Sequence, residues 1–120
     1  MLCGEDIEFE KRVIKAGYKL IYEPKAIVTH KVSKEKLTKR YFLQRSFWQG
    51  YSEILISRKS LLEIDRMDLL CLKILAESRK IENIAKILAT NDLKEEIDIA
   101  RSIGRMEGLI YLVEEYERTK

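Results

Sequence analysis

A chain of 120 residues with 46% hydrophobic and 36% charged positions, five glycines and one proline has the makings of one globular domain rich in helix. Its net charge of +3 is too small to mark a nucleic-acid binder, and no charge-free run approaches the roughly 20 residues a membrane span needs. The charge is also uneven: residues 1–60 hold 13 Lys and Arg against 7 Asp and Glu (+6), and residues 61–120 hold 10 against 13 (−3). An anionic ligand or surface therefore suits the first half, and the second reads as a solvated helical tail.

In chain order, Ile7, Phe9, Val13, Ile14 and Ala16 predict a short helix over about 5–16, with Glu5 and Asp6 at the positive end of its dipole. Gly17 predicts a left-handed stop. Tyr18–Tyr22 and Ala26–Thr29 then read as two short strands broken by Glu23-Pro24-Lys25. Ser33 is the expected cap of a long helix through Glu35–Arg58, with Leu37, Tyr41, Gln44, Trp48, Tyr51 and Leu55 on one stripe. Gly50 interrupts that helix at a cost of about 1 kcal/mol, which points to a kink or a close approach. Beyond it, the spacing predicts helices over Asp65–Ser78 (Met67, Leu70, Cys71, Ile74 and Leu75 inward), over Ile81–Ala89, from Asn91 or Asp92, and over Gly104–Glu117.

The expected fold is thus α+β and mainly α: a helix and two strands in residues 1–32, then a tail of four to five helices in 33–120. Glu5 and Asp6 follow the first methionine too closely for a signal peptide. Cys3 and Cys71 match no metal-ligand spacing, so reduced thiols and a cytoplasmic location are expected. Contact with a membrane surface stays open.

Each candidate for chemistry has an ordinary reading beside it. Glu5-Asp6 either stabilises a helix start or supplies a general base. His30, the single histidine, is a surface residue unless partners make it a metal ligand. The basic and aromatic helix at 40–53 is either a core stripe with a solvated face or a surface for sugars, bases and phosphates. The acidic second half argues against nucleic acid as the partner.

The order of these residues carries more than any one of them. Glu5-Asp6, Arg12, Ala16-Gly17-Tyr18, Pro24, Ala26, His30, Arg45 and Gln49-Gly50 form a pattern. Over residues 4–53 it resembles the C-terminal part of the catalytic domain of family-2 glycosyltransferases, inverting GT-A enzymes that use nucleotide-diphosphate sugars. The ending from Ala100-Arg101 to Gly108 is similar to the helical tail of many bacterial and archaeal members.

That resemblance implies Asp6 as the base that deprotonates the acceptor hydroxyl, with Glu5 orienting the acceptor. It implies substrate contacts for Arg45, Trp48 and Gln49, and a place for His30 at a divalent metal (Mg²⁺ or Mn²⁺) or diphosphate. The processive Gln-x-x-Arg-Trp motif is not reproduced in Gln44-Arg45-Ser46-Phe47-Trp48. The family's nucleotide-binding half precedes the acidic pair, and only Met1-Leu2-Cys3 stand before Gly4 here. The expectation is therefore a glycosyltransferase segment inactive alone and without a cofactor of its own. A nucleotide-sugar donor and a sugar or lipid-linked acceptor would be bound only in a completed enzyme. The alternative is a helical interaction module without transferase activity. Either reading predicts a complementary chain or a homo-oligomer, because two lone strands would expose their edges.

Overall fold

The structure is a computed structural model that describes residues 4–57 and 65–119, without the side chains of Arg66, Met67 and Leu69. Cys3, Arg58 and the Met67 side chain, all used in the expectations above, lie outside the described residues. The elements are α1 (Glu5–Lys15), a 3₁₀ turn (Lys34–Leu37), α2 (Lys39–Ile56), α3 (Arg66–Ala89) and α4 (Leu93–Arg118).

α1 begins at Gly4, whose φ of +92° is the left-handed conformation glycine tolerates best. Glu5, Asp6 and Glu8 occupy its first turn and Arg12 and Lys15 its last, each sign at the end of the dipole that suits it. The helix closes as the sequence predicts. Gly17 has φ +88°, its N–H donates to the Ile14 carbonyl at 3.0 Å, and the Tyr18 N–H donates to that of Val13 at 3.2 Å. This pair of bonds is the Schellman motif.

The two expected strands do not form, and the α+β assignment gives way to an all-helical one: no strand occurs among the described residues. A turn stands at Pro24-Lys25, but the chain on either side does not pair. Ile21, Tyr22, Ile27 and Val28 are 86–89% exposed. Branched and aromatic side chains favour a strand only where a neighbouring strand accepts the backbone and an apolar layer covers one face. Neither condition is met among the described residues.

The helical half also differs in its boundaries. Ser33 precedes the 3₁₀ turn, and Thr38 caps α2 instead, its Oγ1 accepting from the Tyr41 N–H at 3.3 Å. The helices expected at 65–78 and 81–89 are one, and so are those expected from 91 or 92 and over 104–117. The expected four to five helices of the tail thus reduce to three α-helices among the described residues. Asp92 caps α4, its Oδ1 accepting from the Lys94 N–H at 2.9 Å.

α4 is the central element, packed against α2 on one side and α3 on the other. Gly104 meets Phe47 and Gly108 meets Tyr51, so α2 and α4 run parallel. Lys73 pairs with Glu114 and Lys80 with Glu107, so α3 and α4 run antiparallel. Glycines let the parallel pair close: a Cβ at Gly104 would stand 1.9 Å from the Phe47 carbonyl oxygen, and one at Gly50 2.0 Å from that of Arg101. Gly50 therefore marks a close approach inside an unbroken helix, and Gly104 and Gly108 form a small-xxx-small notch.

The extents are 51 × 43 × 19 Å. The short dimension is under two helix diameters, so the core is thin. It centres on α4, where Ile99, Ala100, Ile110, Leu112 and Val113 are buried, together with Ala76 of α3. The inward residues expected for α3 are largely wrong: Cys71 is exposed, Ile74 is 62% exposed and Leu75 57%. Periodicity found an apolar stripe on that helix but could not say that α4 would pack on the opposite side.

Candidate functional site

The start of α1 and the middle of α2 enclose a cleft. Gly4, Asp6, Ile7 and Lys11 line it from α1, and Arg45, Gln49, Glu53 and Ile56 from α2. The α2 side follows from spacing alone, because Arg45, Gln49 and Glu53 recur every four residues and share one helix face. The α1 side follows from Gly4, which turns the chain so that the first helical turn lies beside the end of α2. A Cβ on Gly4 would meet the Ile56 side chain at 3.2 Å. The Asp6 carboxylate is exposed here, and its Oδ1 accepts from the Ile7 N–H at 2.9 Å.

Glu53 joins this cleft to the core. It accepts from Arg105 Nε at 2.8 Å and from Arg101, through Nε at 2.9 Å and through Nη2. Burial raises its carboxyl pKa, but the hydrogen bonds and charges of Arg105 and Arg101 outweigh that and hold it below the ordinary value of 4.5. Glu53 is thus an ionised strut between α2 and α4.

A second pocket adjoins the first at Arg45, lined by His30, Val32, Lys36, Leu37, Tyr41, Phe42 and Arg45. His30 arrives from the extended segment before the 3₁₀ turn. Its neighbours here include the cations Lys36 and Arg45 and no carboxylate, so this donor set does not fit a divalent metal. No group of three or more His, Cys, Asp or Glu residues suited to a metal occurs among the described residues.

The structure therefore brings Asp6, Arg45 and Gln49 to one cleft, with His30 in the neighbouring pocket. It does not bring Trp48 there: the indole packs edge-on against Phe47, centroids 5.3 Å apart, and against Tyr51, 5.6 Å apart. Tyr51 also lies against Tyr111 of α4, at 6.0 Å. Glu5 is exposed in the same turn as Asp6 but outside the cleft lining. Sequence reasoning missed Lys11 and Glu53. The four-residue spacing of polar residues from Arg45 was the available signal for Glu53; Lys11 gave none.

Another part of the molecule joins the starts of α2 and α4. Glu96, 3% exposed, accepts from Lys39 Nζ at 2.7 Å through Oε1, and its Oε2 has no hydrogen-bond partner among the described residues. That half-satisfied carboxylate holds the two helix starts in register and is remote in sequence from the cleft.

Set against known proteins, the sequence matches no family model, no curated protein and no solved structure. No helix among the described residues is long and apolar enough to cross a membrane.

Proposed function

We propose that these residues form the acceptor-side segment of an inverting, nucleotide-sugar-dependent glycosyltransferase. The observation behind this reading is the cleft in which Asp6 of α1 faces Arg45 and Gln49 of α2. An exposed carboxylate at a helix start is common; one placed across a cleft from a cation and an amide has the makings of a site for a polyhydroxylated ligand.

In this reading the Asp6 carboxylate takes the proton of an acceptor hydroxyl as that oxygen attacks the anomeric carbon. The bond from that carbon to the donor diphosphate breaks, and the diphosphate leaves with the electron pair. Gln49, Lys11 and Arg45 hydrogen-bond the acceptor's other polar groups and orient it for attack. Donor binding, and a magnesium or manganese ion on the diphosphate, fall to residues outside these 120. On its own the segment transfers no sugar.

The test is a titration of the isotope-labelled chain followed by amide NMR. Sugar and glycolipid headgroup acceptors should shift the resonances of Asp6, Lys11, Arg45 and Gln49, and Asp6→Asn should weaken the effect. UDP- and GDP-sugars should bind no tighter than about 1 mM. Micromolar binding of a nucleotide sugar would show that the donor site lies within the chain. Acceptors that leave all four resonances unmoved would remove the cleft from consideration.

One set of observations favours the second reading, a homodimeric helical interaction module. Large apolar side chains stand exposed along α3, among them Ile74, Ile81 and Leu88.

A further inference from the structure

The open face of α3 has an order that a merely uncovered surface lacks. Cys71, Ile74, Ser78, Ile81, Ala85 and Leu88 follow the spacing 3-4-3-4-3, the a/d pattern of a coiled-coil seam. All six are exposed, with Ile74 at 62%, Ile81 at 73% and Leu88 at 81%. The opposite side of the same helix, with Ala76, Lys80 and Asn83, already faces α4. The seam is therefore additional to the packing that holds the domain together.

The two columns of this seam differ in size. Every a position is small (Cys71, Ser78, Ala85), and every d position is large and branched (Ile74, Ile81, Leu88). A parallel partner would stack small on small and large on large, alternating voids with crowding. An antiparallel copy pairs each a with a d. Cys71 meets the partner's Leu88, Ser78 meets the partner's Ile81, and Ala85 meets the partner's Ile74. Each pair of numbers adds to 159, so one two-fold axis between residues 79 and 80 satisfies every layer.

Alternating large and small residues across facing positions is the arrangement that fills a seam without strain. The flanks agree: Leu75 lies opposite the partner's Glu82, and Glu77 opposite the partner's Ile84, so no like charges meet. The Ser78 hydroxyl already donates to the Ile74 carbonyl at 3.0 Å and enters the seam satisfied.

We propose that the chain is a two-fold homodimer in which α3 packs antiparallel against α3 of a second copy, in the register that places Cys71 against the partner's Leu88. The seam is only about 25 Å long, short for an isolated coiled coil, but α4 holds α3 helical beforehand and so removes most of its ordering cost. This inference stands apart from the transferase reading, since its residues are not those of the α1–α2 cleft.

Sedimentation of the full chain at about 100 µM should give twice the monomer mass, and Ile81→Glu should halve it with helix content retained by circular dichroism. Register is read by mild oxidation in a Cys3→Ser background. With Cys71 alone, no covalent dimer should form, because the two Cys71 residues would lie about 25 Å apart along the seam. Adding Leu88→Cys should yield a cross-linked dimer, and adding Cys71→Ala to that variant should abolish it. A monomeric chain, efficient cross-linking through Cys71 alone, or a dimer that Leu88→Cys cannot cross-link would each overturn the proposal.

Discussion

α4 makes two seams, and they differ in how closely the backbones meet. Against α2 it uses glycines, which on both helices remove side chains so that backbone meets backbone, with Gly104 under Phe47 and Gly50 under Arg101, and ion pairs of Glu53 and Glu96 clamp the same seam. Against α3 it uses long charged side chains: Lys80 reaches Glu107, and Lys73 reaches Glu114 at 3.4 Å. The first seam tolerates almost no added volume. The second closes over the buried Ala76, and its two ion pairs are partly screened by water, with side chains 22–41% exposed.

Breaking the tight seam should give the largest effect. Gly104→Ala or Gly50→Ala places a methyl carbon within about 2 Å of a backbone oxygen, which no rotamer can relieve. Each should cost about 3 kcal/mol or more in chemical denaturation, despite alanine being the better helix former. Gly108→Ala sharpens the point, because its Cβ would sit 3.0 Å from the Tyr51 oxygen. A loss of about 1 kcal/mol is expected there, a graded response along one notch.

Glu53 ties the tight seam to the cleft, and Glu53→Gln should lower stability by about 1 kcal/mol, discounted because Arg101 and Arg105 are 36% and 51% exposed. Its folded pKa is depressed, so its contribution is complete above 4.5 and is lost as the pH falls through the lowered value. Denaturation midpoints followed below pH 4.5 should drop less in Glu53→Gln than in the unaltered chain. Smallest of all, Lys80→Met should change stability by less than about 0.5 kcal/mol, since the stem still covers α4 and the pair is partly solvated. A loss as large as that from Gly104→Ala would erase the distinction between the two seams.

Local features were legible in the sequence and inter-element ones were not. Glu5 and Asp6 at a helix start, and Gly17 as its stop, depend on residues within one turn, and all three appear as read. The residues from Tyr18 to Thr29 have the composition of strands, but a strand is completed by a neighbour, and composition cannot supply one. An apolar stripe usually faces inward, and by that rule Cys71, Ile74 and Leu75 point to the core; α4 instead packs on the other side of α3, through Ala76 and Lys80. Asp6 and Arg45 stand in one sequence pattern, but nothing in their spacing fixes the geometry of the cleft that both line.

By itself the sequence determined the start and stop of α1, which polar residues share a face of α2, and that glycine at position 50 marked something other than a loop. Those outcomes rest on interactions across three or four residues, which the chain carries wherever it is placed. Only the tertiary structure decided that α4 would be central, that α2 would lie parallel to it, and that α3 would keep an ordered apolar stripe open. Such choices follow from which surfaces fit one another at full length, and fit between distant segments is not written in any one of them.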